Sequence, residues 1–215
     1  MVRAREATIA AAAGALLGGL TGKVLGVGRW GAAVGAASGA IAGFRGIYDW
    51  RSRTGVTAFV VDHTWALATT CAGVVVTAAN SLGDAGYMPE LSQRQNRMVN
   101  RRGVVLRRGF AVTFGNVVNG AADVDGRFDD SRHELVTVHE EAHIRQARYF
   151  GPIFPMVYGA WFAGGAVVGL AKWLRSDRGT SLTSTIDRYA YYANPFERHA
   201  YKLQGVSTPL RAAKR

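Results

Sequence analysis

This chain of 215 residues has a single cysteine, Cys71, and only 15 acidic side chains. One cysteine excludes a disulfide framework and a zinc finger built on thiolates. Charged residues make up 19% of the chain, below the quarter or so of an ordinary soluble domain. Because 48% of the residues are hydrophobic, the chain is not disordered. It also lacks any recognisable nucleic-acid-binding module, and its excess of basic residues, a net charge of +11, is not gathered on one polar face. Arg3 and Arg5, Arg45 to Arg53, Arg101 to Arg108, Arg145 and Arg148, and Lys172 to Arg178 instead flank uncharged tracts. Flanking cations suit a membrane protein near anionic headgroups, so nucleic acid is not expected as a partner.

The apolar tracts divide the chain. Residues 1–50 carry two runs of glycine spaced by four, Gly14, Gly18, Gly22 and Gly26, then Gly31, Gly35, Gly39 and Gly43. On a helix each run makes one smooth face, so the pattern predicts a glycine-zipper helical hairpin turning near Lys23 and Arg29. Its arms fall slightly short of a span of about 20 residues. A cleavable signal peptide would use only the first run and needs an A-x-A-like site before Lys23, which is not evident. Such Gly-xxx-Gly faces also suit self-association or packing with partner membrane proteins.

Residues 51–82 read as a third apolar helix, with Asp62 and His63 inside it as a pair holding the helix to a neighbour. Residues 83–131 read as a polar loop and a β-hairpin over 103–118 around Arg107-Arg108-Gly109, followed by an acidic turn (Asp123, Asp125, Asp129, Asp130) that lacks the final Glu of a calcium loop. Residues 132–204 contain two polar helices separated by an apolar helix over 150–173, long enough to span. Residues 205–215 form a basic tail.

The chemistry gathers on His139-Glu140-Glu141-Ala142-His143. On a helix the two histidines are four apart and share a face, so both imidazoles can reach one Zn2+. Glu140 stands just off that face, placed to take a proton from a water polarised by the metal. A catalytic zinc needs a third protein ligand. Glu197 is favoured, in the first turn of a helix begun by Asn194 and Pro195, with His199 as the rival on another face. His133 should point away, and Asp187 can accept from a ligand histidine. Tyr189, Tyr191, Tyr192, His199 and Tyr201 are open as transition-state stabilisers or as packing for the last helix.

H-E-x-x-H with a later helix carrying E-x-x-A resembles the zincin metallopeptidases, and within them the gluzincin branch. The string His139-Glu140-x-x-His143-x-x-Gln146 also resembles a subset of bacterial zincin-like proteins. The resemblance covers residues 132–150 and 187–204. It implies His139, His143 and Glu197 as zinc ligands, Glu140 as catalytic base, and a peptide or protein substrate lying along an edge strand in the hairpin. Where many gluzincins carry an Asp two residues after the ligand Glu, this chain has His199.

The expected fold is therefore mainly α with a small β-hairpin, a membrane-associated helical protein with a minimal zincin-like helix pair. The expected protein is integral to a bacterial plasma membrane, in contact with its lipids. Arg132, Glu134, Arg145 and Arg148 around the motif place the metal outside the hydrocarbon. The expected activity is peptide hydrolysis at the membrane surface. The alternative is a non-catalytic membrane subunit whose glycine faces pack with partner helices.

Overall fold

The computed structural model describes residues 2–176 and 179–208. Most of the basic tail, from residue 209, and two residues of the Ser/Thr/Gly linker, 177 and 178, lie outside the described residues. The protein is mainly helical with one three-stranded sheet, and it divides into two compact units at Pro152/Ile153.

The first unit opens with α1 (Val2–Val24) and α2 (Gly28–Arg45). Gly26 turns the chain between them with φ +76°, a left-handed backbone open to glycine at little cost. The two glycine faces are turned on each other. A Cβ on Gly35 would strike the Gly14 carbonyl, one on Gly31 the Gly18 carbonyl, and one on Gly39 the Ala10 carbonyl. The paired numbers sum to a constant, the signature of antiparallel helices in one fixed register. Each glycine weakens a helix by about 0.8–1.0 kcal/mol against Ala. The return is a backbone-to-backbone approach that no larger residue permits. Leu16, Leu20, Val24 and Trp30 remain exposed on the outside.

Gly35→Ala should accordingly destabilise the first unit by about 1–3 kcal/mol, as overpacking does. Gly159→Ala, at a helical glycine with nothing within 4 Å of an added Cβ, should not. Thermal melts of both variants in detergent check this, and equal melting temperatures would show that the close approach is not stabilising.

The apolar run over 51–82 is not one helix. Ser52 caps α3 (Arg53–Asp62) by accepting from Gly55 N at 3.0 Å. The chain then breaks and bends by 86° before α4 (Leu67–Asn80). The break falls at Asp62 and His63, both buried. Asp62 accepts from Tyr48 Oη at 2.7 Å and from the Arg148 guanidinium at 2.8 Å through each oxygen. A straight helix could not carry that carboxylate into the interior and keep an apolar surface on both sides.

Three short strands follow: β1 (Met98–Val99), β2 (Val112–Phe114) and β3 (Val117–Asn119). Their order is β1-β3-β2, with β1 parallel and β2 antiparallel to β3. The hairpin turn is at Gly115-Asn116, not at Arg107-Arg108-Gly109. Gly115 has φ +60° and leaves no room for a Cβ against the Thr69 carbonyl. β1, inside a stretch read as loop, has too few residues to show a period. Alternation sends Met98 and Val117 to a core with Ile47, Phe59 and Val76, and sends Val99 and Val118 to a second core with Val136 and Ile144. The sheet therefore lies between the N-terminal helices and the helix that bears the motif. β2 forms an edge and is half-buried.

That motif helix begins at α5 (Asp130–Glu134), capped by Asp129, which accepts from Arg132 N at 2.9 Å. A π-helical segment over Leu135–Glu140 leads into α6 (Glu141–Phe150).

The second unit holds α7 (Ile153–Leu174), α8 (Leu182–Asp187), a π-helical segment over Arg188–Tyr192, and α9 (Pro195–Leu203). Glycines again set its close approaches. A Cβ on Gly165 would strike the Tyr189 carbonyl, and one on Gly169 would meet Ile186 Cα at 2.9 Å. Among the described residues, two helices are long and apolar enough to cross a membrane, Arg3–Val24 and Ile153–Leu174, and the bent pair α3–α4 is a further candidate if taken as one broken span. In α7 only Gly169 is buried.

Candidate metal centre

His139 and Glu140 close the π-helical segment and His143 lies in the first turn of α6. A π-turn is rare and is found most often at functional sites. The histidines are buried, and their Nε2 atoms lie 3.3 Å apart. Two nitrogens each about 2.0–2.1 Å from one tetrahedral Zn2+ stand about 3.3–3.4 Å apart, so the pair has the spacing of zinc ligands. Gln146 Oε1 lies 2.8 Å from His143 Nδ1, a position that suits the Nδ1–H tautomer, whose lone pair is on Nε2. The sequence had marked Gln146 only by resemblance, and the structure gives it a physical task.

Glu140 is buried, and its Oε2 accepts from Thr113 Oγ1 at 2.7 Å. Thr113 belongs to the edge strand β2, so the strand expected above the motif helix touches the expected base directly. The helix itself is fixed from two sides. Arg97 pairs with Glu141 at 2.7 Å, and Arg148 with Asp62. Burial works against the Arg148 charge, but the Asp62 carboxylate outweighs it and holds the guanidinium well above its ordinary range. At the other end Arg132 donates to the carbonyls of Gly109, Gly120, Ala121 and Ala122. Burial lowers its pKa, with the Glu140 carboxylate acting in the opposite sense.

In the second unit, Asn194 starts α9 by accepting from Phe196 N at 3.0 Å, with Pro195 in the first turn. Glu197 follows in that turn and is buried, while His199 is exposed. Tyr158 of α7 donates to Glu197 Oε1 at 2.8 Å. That hydroxyl holds one oxygen of the buried carboxylate. Nothing in the local sequence of α7 points to Tyr158. Its only signal is a hydroxyl in an otherwise apolar helix. Tyr191, Tyr192 and Tyr201 form a ring cluster, with centroids 5.1 and 6.2 Å apart, as packing for the last helix would require. His133 is exposed and Asp187 half-buried.

His139, His143 and Glu197 together form a buried group in which one ligand atom from each lies within 4.8 Å of the others. Two imidazoles and a carboxylate are a donor set that holds a metal ion. Compared with known protein families, curated proteins and solved structures, the chain matches none.

Proposed function

We propose that this protein is a membrane-anchored zinc metallopeptidase of the zincin type, cleaving peptide bonds at the surface of a bacterial plasma membrane. The buried His139, His143 and Glu197 group carries the reading. It offers three protein donors, the number that leaves a zinc coordination position open for water or substrate. When bound there, zinc makes a water acidic near neutral pH and polarises a carbonyl oxygen. Glu140 takes the proton from the attacking water and returns it to the departing amine. Thr113 holds one oxygen of that carboxylate and leaves the other for the proton transfer. The unpaired edge of β2 in the sheet takes the substrate as an added strand. Lipid is the partner of α1 and α7, and the exposed charges of Glu134 and Arg145 keep the motif helix in water.

The test is elemental analysis of purified protein, wild type beside His139→Ala and Glu197→Ala. About one zinc per chain in the wild type, lost in both variants, is the result expected of a three-ligand site. A wild-type chain without zinc after purification in zinc-supplemented buffer overturns the proposal.

A further inference from the structure

The first unit has a second concave site. A cavity of about 370 Å3 opens beside the β2–β3 hairpin, with Arg101, Arg102, Arg108, Phe110 and Gly120 on its wall. The register fixes its place. Val112 pairs with Asn119, so Phe110 precedes the first residue of the edge strand by two and Gly120 follows the last residue of β3. The cavity thus lies at the open end of the hairpin, on the line of β2.

Its charge is lopsided. Three guanidinium groups face two carboxylates, Asp123 and Asp125. Asp123 is engaged within its own turn, accepting from Asp125 N at 2.9 Å and Arg127 N at 2.7 Å. Those bonds hold its carboxyl below the usual range. Arg101 donates to the Gly126 carbonyl at 3.1 Å. Arg102 and Arg108 are exposed, and among the described residues neither side chain has a hydrogen bond or an ion pair. Two unengaged guanidinium groups at one cavity are suited to a carboxylate, which they can bind through paired N–H donors.

From Thr113, which touches Glu140, back to Phe110 is three residues, or about 10 Å of extended chain. A peptide added alongside β2 carries the side chain about three residues from its reacting bond to the cavity mouth. The geometry points to a subsite for carboxylates, so that the protein selects peptides with an acidic side chain about three residues from the bond at the metal centre. This rests on the peptidase reading above.

The test uses the full chain in neutral detergent, carrying Glu140→Gln so that hydrolysis does not intrude. Fluorescence anisotropy compares a labelled peptide with a run of Glu to the same peptide with Gln. The Glu peptide should bind about tenfold more tightly at low salt, and the difference should shrink as salt rises. Adding Arg102→Gln and Arg108→Gln should abolish the preference and leave the zinc content unchanged. Equal binding of the two peptides, or a preference that survives the arginine replacements, overturns the subsite. Displacement of the Glu peptide by phosphatidylglycerol vesicles, but not by phosphatidylcholine vesicles, would assign the arginines to lipid headgroups and also overturn it. The two readings fail separately. A Glu preference in a chain that hydrolyses no peptide leaves the subsite standing and removes the peptidase. Hydrolysis indifferent to acidic residues does the reverse.

Discussion

On the peptidase reading, replacing Glu140 with Gln will leave the zinc content of the protein unchanged and lower kcat/KM for peptide hydrolysis by about 10²–10⁴-fold, the usual contribution of a general base. The two effects separate because Glu140 is outside the ligand group, which consists of His139, His143 and Glu197. The fold should tolerate the change. A Gln side chain has nearly the same shape, and its amide oxygen can still accept from the Thr113 hydroxyl that now bonds the carboxylate. What is lost is the basic oxygen. Zinc analysis and a quenched fluorescent peptide measure both quantities on one preparation. Loss of zinc would make Glu140 a ligand instead of a base. Full zinc with undiminished hydrolysis would remove it from the reaction. A wild type that holds zinc and cleaves nothing would favour the non-catalytic alternative, in which the metal only ties the last helix to the motif helix.

The largest effect on stability is expected at Asp62. Asp62→Ala should destabilise the first unit by about 3–5 kcal/mol, because it strands the Arg148 guanidinium in the interior. The pair is well enclosed, with side-chain exposures of 16% for Arg148 and 2% for Asp62, so solvent screens it little. Tyr48 and Asn116 lose the same acceptor. The double replacement Asp62→Leu with Arg148→Met should recover much of the loss, since neither charge is then left alone. Denaturant titrations of the single and double variants give both numbers. A single variant as stable as wild type would mean that the ion pair does not hold the bent segment to the motif helix. Because Arg148 is little more than one turn beyond His143, the single variant should also bind zinc less well.

The features legible from sequence were those set by near neighbours. Four-residue spacing put His139 and His143 together. The Asn194-Pro195 start put Glu197 in a first turn, and an uncharged run gave α7. The rest depended on contacts between distant residues. Asp62 and His63 stand out as polar residues in an apolar run, but the guanidinium that engages Asp62 belongs to Arg148, eighty-six positions away. Thr113 and Tyr158 touch the carboxylates of Glu140 and Glu197 across 27 and 39 positions, and no local pattern distinguishes them from other Thr and Tyr residues. Arg107-Arg108-Gly109 has the composition of a turn, but Gly115-Asn116 has the left-handed glycine at the tight corner. The helix ahead of His139 was read as regular, since a π-turn leaves no mark on hydrophobic periodicity.

That π-turn has a geometric consequence. A helix advances by about 100° for each residue, so one extra residue taken up in a wide turn rotates everything before it relative to everything after it by about that angle. Here Arg132 lies on one side of the wide turn and His143 on the other. A uniform α-helix through the same residues would aim either the guanidinium away from the hairpin carbonyls or the imidazoles away from the ligand group. The single helix thus keeps two angular phases, one docking it to the hairpin carbonyls and one turning His143 to the candidate metal group, and the change of phase falls at the motif.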